Sequence, residues 1–135
     1  QQRHEGLSGA CYIRSWRMSI ALVVCIRKRA GLSTQDFSRH WREKHAPLIR
    51  NCPEFSRHLL RYTQHHLADR VSPIAQMFGV SGDYDGVAVL EFQSMETMLQ
   101  AFGEPAYREQ IRRDEPNFVD LEHGLCFITE PLHVV

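Results

Sequence analysis

The run from Ser19 to Arg27 is apolar or β-branched along almost its whole length, so it reads as a strand buried on both faces. Any fold built on it must supply cover to each side of its sheet. The run ends at Arg27-Lys28-Arg29 and Gly31 breaks the chain. Ser33, with Asp36 three positions on, resembles a capping box and starts a helix. Phe37, Trp41 and His45 recur every four residues and share one face of that helix, which Pro47 ends or distorts just before itself, leaving His45 in the final turn. After the turn signal Asn51-Cys52-Pro53, a second strand lies within His58 to Leu67. Its alternation puts His58, Leu60, Tyr62, Gln64 and His66 on one face and Leu59, Arg61, Thr63, His65 and Leu67 on the other. Residues 68 to 84, with Pro73, Gly79 and Gly82, read as a long loop. Asp85 to Phe92 is a third strand, Ser94 opens a helix with Met95, Met98, Leu99 and Phe102 on its apolar stripe, and Pro105 starts a short helical stretch. A last strand runs from Leu125 through Val135, with Pro131 marking an edge.

The order β-α-β-β-α-β defines an α+β class, the split βαβ or ferredoxin-like plan, in which a four-stranded antiparallel sheet carries both helices on one face. The other face then needs cover. A second copy packed sheet to sheet across a two-fold axis supplies it, so a homodimer enclosing a barrel-like core is expected. At 135 residues with 43% hydrophobic and 24% charged residues, the chain suits one domain, assigned to 18–135. Residues 1–17 carry Arg3, Arg14 and Arg17 against Glu5 and lack the apolar core of a secretory signal. They are set apart as an N-terminal extension.

Sixteen basic and sixteen acidic residues remove the overall attraction to phosphate that a general nucleic-acid binder uses. The longest apolar run, Ile20 to Ile26, falls far short of the roughly 20 residues of a membrane span, so a cytoplasmic protein with neither nucleic-acid nor membrane partners is expected. Cys11, Cys25, Cys52 and Cys126 form no C-x-x-C pair; Cys25 and Cys126, inside apolar runs, read as buried thiols. Neutrality conceals an asymmetry: Arg27 to Arg70 holds ten basic and four acidic residues, Asp85 to Val135 three basic and ten acidic. The two halves should attract each other.

Five of the eight histidines, His40, His45, His58, His65 and His66, fall within 27 residues, and spacing argues against a metal. On a regular helix His40 and His45 point about 140° apart at about 100° per residue, while His65 and His66 face opposite sides of a strand. No H-E-x-x-H, glycine-rich phosphate loop or nucleophile elbow is present. No metal and no cofactor are expected, which favours acid–base chemistry on a substrate that serves as its own electron sink.

Phe37-x-x-x-Trp41-x-x-x-His45-Ala46-Pro47-Leu48, then Arg61-Tyr62-Thr63-Gln64-His65-His66, then Asp85-Gly86-Val87-Ala88 resembles the EthD family of dimeric α/β-barrel proteins over roughly Met18 to Pro131. The resemblance implies kinship with fungal enzymes that tailor aromatic polyketides, among them decarboxylases and dehydratases on the atrochrysone, emodin and anthraquinone routes. By position it places His45 and His66 on the family's helix-terminal and strand-terminal histidines, and Asp120 on an acidic position before the last strand. The expected activity is a cofactor-independent lyase that decarboxylates an aromatic polyketide acid resembling atrochrysone carboxylic acid. His45, His66 and Tyr62 are the expected catalytic residues, and Trp41, Gln64, Phe37 and Asp120 the expected substrate-binding ones. Dehydration, cyclisation or cofactor-free monooxygenation of a related polyketide, or simple binding of a hydrophobic ligand, are the alternatives. Asp114 and Glu115 read by default as solvated charges unless one turns inward.

Overall fold

The computed structural model describes residues 19–79 and 82–135; the expected extension over 1–17, Cys11 included, lies outside the described residues. Strands β1 (Ile20–Ile26), β2 (Leu59–His66), β3 (Gly86–Phe92) and β4 (Leu125–Thr129) form one antiparallel sheet in the order β2-β3-β1-β4. This is the ferredoxin-like arrangement, with β1 and β3 at the centre. Ile20, Leu22, Val24 and Ile26 of β1 pair with Phe92, Leu90, Ala88 and Gly86 of β3 on the helix-covered face. The opposite face presents Val23, Val89 and Phe127, with Leu125 and Phe127 on β4 half exposed.

Ser33 caps α1 (Thr34–His40) by accepting from the Asp36 amide, as its sequence signature predicts. The chain then does not stop at Pro47. A π-helical turn, Trp41–His45, intervenes, and α2 (Ala46–Arg50) resumes with Pro47 in its first turn. There the missing proline amide costs nothing, because the first amides of a helix have no intrahelical partner. The extra residue of the π turn reroutes the Ala46 amide to the Trp41 carbonyl. A single turn α3 (Pro53–Ser56) seats Phe55 in the core, and Ser94 caps α5 (Met95–Gly103) through the Thr97 amide. The inward stripe of α5 is Met98 and Ala101 with Phe102, whereas Leu99 and Met95 face outward.

Four expectations change. The alternation of β2 reverses at a bulge between Leu59 and Arg61, which inserts Leu60 as an extra residue, so Leu59 joins Tyr62 on the core side while Leu60 is exposed. Within the expected loop over 68–84, Ser72 caps a short helix, α4 (Pro73–Phe78), ended by Gly79 at φ 66°. The last strand stops at Thr129, just ahead of Pro131. Cys126, on this edge strand, is exposed rather than buried, and Cys25 is intermediate; with the buried Cys52 both are free thiols.

The end of the sheet nearest His45 is tied down by polar contacts. Asp85, buried, accepts from the Lys28 amide and the Arg70 guanidinium, both at 2.8 Å. Phe118 and Asp120 bond backbone to backbone with Arg29 and Arg27, anchoring the 3-10 turn Arg112–Asn117 beside β1. Arg57 reaches Glu104, Arg61 Glu91 and Arg70 Asp85, so the basic half meets the acidic half within the chain.

Gly86 is required by close approach, since a Cβ there would lie 2.6 Å from the Trp41 ring and 3.0 Å from the His65 carbonyl. Gly86→Ala should lower unfolding free energy by about 1–3 kcal/mol in urea titrations, whereas Gly103→Ala, where an added Cβ meets nothing within 4 Å, should change it little. Equal stability of both variants would contradict the packing of Trp41 against this strand.

Candidate active site

His45 ends the π turn and is 5% exposed. Its Nδ1 lies 3.0 Å from Asp114 Oδ2, while His40 Nε2 lies 3.0 Å from both oxygens of the same carboxylate and Asn117 Nδ2 donates to Oδ1 at 3.0 Å. Regular helical geometry separates His40 from His45. The π turn, by adding a residue to the turn between them, brings both rings onto Asp114. Among the described residues, no group of three His, Cys, Asp or Glu is arranged to hold a metal ion.

An ionised carboxylate only accepts hydrogen bonds, so the hydrogen-bond network assigns a proton to His45 Nδ1 and to His40 Nε2. Burial pushes the His45 imidazole below the ordinary histidine range, with the hydrogen bond and charge of Asp114 opposing and His40 reinforcing the shift. Burial pushes Asp114 up, but hydrogen bonds from Asn117, His45 and His40 outweigh it and hold the carboxyl below its usual value. Near neutral pH the pair is therefore a neutral imidazole on a carboxylate. The lone pair of His45 sits on Nε2, and the partner that stabilises the imidazolium is already in place.

His45 lines a cavity of about 730 Å³ between the sheet and the helices. Leu22, Val24 and Leu90 form its sheet wall, and Phe55, Phe102 and Phe118 face them. Tyr62 lines the same space. Its hydroxyl oxygen accepts from Gln64 Nε2 at 3.1 Å, which leaves the phenolic proton as a donor. Burial pushes this phenol up, against hydrogen bonds from Gln64 and Trp41, so it stays protonated. The imidazole, on the helical side, and the phenol, on the sheet, thus line one cavity whose walls are largely apolar and aromatic.

The expected site residues divide. His45, Tyr62 and Trp41 line the cavity, and Asp120 lies at its margin, bonded to His123 Nδ1 at 2.7 Å. His66, Gln64 and Phe37 are not on its lining. His66 stacks near Trp41, accepts from the Ser38 hydroxyl at Nδ1 and donates from Nε2 to Gln64 Oε1 at 2.8 Å. Gln64 also donates to the Trp41 carbonyl at 2.9 Å. Both ring nitrogens of His66 are engaged, and Gln64 links it to the Tyr62 hydroxyl. Phe37 is core, packed on Trp41 and Phe118. The residue that sequence reasoning missed as a partner is Asp114, 69 positions from His45. Its one signal was the crowding of acids in Asp114-Glu115-Pro116-Asn117.

The fold is that of a ferredoxin-like α+β protein in which an imidazole and a phenol line one cavity between the sheet and the helices. Residues 29–122 match the EthD domain, and the chain belongs to the EthD family. Three solved structures share the fold. An ethyl tert-butyl ether D (EthD) family protein from Bacillus halodurans superposes at TM-score 0.61 with 18% identity, covering 85% of this chain and 100% of that one. A dimeric protein of unknown function and ferredoxin-like fold from Bacteroides fragilis gives 0.57 with 10% identity, over 83% and 95%. SnoaB, a cofactor-independent oxygenase from Streptomyces nogalater, gives 0.55 with 11% identity, over 87% and 97%.

Because the folded His45 binds its proton less tightly than an unfolded histidine, stability falls as pH drops from about 6.5 toward the folded value. Asp114→Asn removes the groups that oppose the shift, so NMR titration should show His45 losing its proton at lower pH still than in the wild type. An unchanged or raised value in that variant would contradict the pairing.

Proposed function

We propose that this protein is a cofactor-independent lyase that decarboxylates an aromatic polyketide β-keto acid. The observation that carries the reading is the Asp114–His45 pair, its Nε2 bonded to none of the described residues, on the wall of a cavity rich in aromatic side chains. His45 Nε2 takes the proton of the substrate carboxylic acid. The C–C bond to the carboxylate then breaks, carbon dioxide leaves, and the electron pair moves onto the ketone oxygen as an enolate, to which Tyr62 donates its phenolic proton in a hydrogen bond. The imidazolium, stabilised by Asp114, returns its proton to the carbon that lost carbon dioxide, and all charges and atoms balance. General acid–base groups of this kind contribute about 10²–10⁴-fold.

A second reading is supported by the likeness in fold to a cofactor-independent oxygenase. There the same base removes a proton from an activated ring CH2, the resulting carbanion reduces molecular oxygen and takes it up as a hydroperoxide protonated by the imidazolium, and loss of water leaves one oxygen on the ring carbon as a ketone. Product mass separates the reactions: loss of carbon dioxide, loss of water, or gain of oxygen. A ligand returned unchanged over many protein equivalents would mean binding alone.

His45→Ala should lower product formation at least about 10²-fold with circular dichroism unchanged, and Asp114→Asn should lower it less, chiefly in kcat. Wild-type turnover in His45→Ala removes the imidazole from the mechanism.

The reading includes a homodimer. Val23, Val89 and Phe127 make an apolar stripe on the face away from the helices, and a second copy packed on that face would cover it. The description of the Bacteroides fragilis protein as dimeric supports this. Val89→Asp should convert the dimer to monomer in multi-angle light scattering; a wild-type monomer would overturn the pairing.

A further inference from the structure

The turn that carries Asp114 carries a second carboxylate that the mechanism above does not use. Asp114 points back onto His40 and His45, whereas its neighbour Glu115 lines the cavity. Tyr107 and Arg112 line it too, and Arg112 Nη1 lies 3.6 Å from Glu115 Oε2. The Tyr107 hydroxyl interacts with both, and Tyr107 is fixed by stacking on Phe55 at 4.9 Å. Burial pushes Glu115 up despite the Arg112 charge. Such a half-buried carboxyl is costly unless donors meet it, and its oxygens have lone pairs beyond those the two neighbours engage.

We propose that Glu115, held by Tyr107 and Arg112, is a specificity subsite that accepts a hydrogen bond from a hydroxyl of an aromatic ligand while His45 and Tyr62 serve its reacting end. The proposal rests on reading the cavity as an aromatic-ligand site, but it assigns the ligand a feature that reading does not: a phenolic donor at the Glu115 wall. Phe55 and Phe102, tilted 58° to one another, and Tyr107, edge-on to Phe102, offer aromatic contacts to the ring that bears this hydroxyl.

The test is binding, which is independent of turnover. Dissociation constants for naphthalene and 2-naphthol are measured by fluorescence for the wild type, Glu115→Leu, Glu115→Gln and Tyr62→Phe. In the wild type 2-naphthol should bind about tenfold tighter than naphthalene. Glu115→Leu should bring that ratio to about one while leaving naphthalene affinity within about twofold. Glu115→Gln, which keeps an amide oxygen as acceptor, should retain part of it, and Tyr62→Phe should retain nearly all of it. Should Glu115→Leu fail to fold, loss of most of the ratio in Glu115→Gln with Tyr62→Phe unaffected supports the subsite. An equal ratio in wild type and the Glu115 variants, or a ratio abolished by Tyr62→Phe, overturns it. Failure of the lyase reading would show instead as turnover insensitive to His45→Ala, with this ratio intact.

Discussion

Pro47 has no amide hydrogen to give, and in an unbroken α-helix its ring would collide with the carbonyl four residues back. The chain answers with one π-helical turn, so that Trp41 to His45 carries an extra residue and Pro47 begins a new helical segment. Much of the site depends on that turn. It brings His40 and His45, which a regular helix would hold apart, onto one carboxylate, and it exposes the Trp41 carbonyl to both Ala46 and Gln64. The Gln64 amide then orients the Tyr62 hydroxyl. A single proline thus bears on the placement of His45 and Tyr62, two of the polar groups that line the cavity.

The electrostatics follow from where the two charge-biased halves meet. Exposed pairs such as Arg57–Glu104 contribute little each, on the order of 0–1 kcal/mol. Asp114 is different, because it is mostly buried and accepts from three donors at once. Its cost of burial is offset by those bonds, and it lets the buried His45 remain a neutral base without making its protonated state prohibitive. Glu115, one residue on, faces the other way into the cavity. One short 3-10 turn, fastened by the backbone bonds of Phe118 and Asp120 to the end of β1, thereby supplies a carboxylate to His45 and another to the cavity wall.

The element order, the capped helices and the double-faced apolar character of β1 were legible because each is a local pattern. So was His45 on the inward face with Phe37 and Trp41, all three of which are buried. The bulge at Leu60 was not, since an inserted strand residue leaves no trace in alternation until a partner strand fixes the register. His66 shares a strand face with Tyr62, but its engagement by Trp41 and Ser38, off the cavity lining, comes from tertiary packing that no strand pattern displays. Asp114 escaped because the 69 positions that separate it from His45 are closed by tertiary structure alone.

The most direct measurement is mass spectrometry of products from a panel of hydroxylated aromatic β-keto acids incubated with the purified protein. The account predicts catalytic turnover with loss of carbon dioxide, protonation of the same carbon, and no requirement for added metal or nucleotide. Substrates returned unchanged across the panel, or products that retain the carboxyl group and gain oxygen, would contradict it.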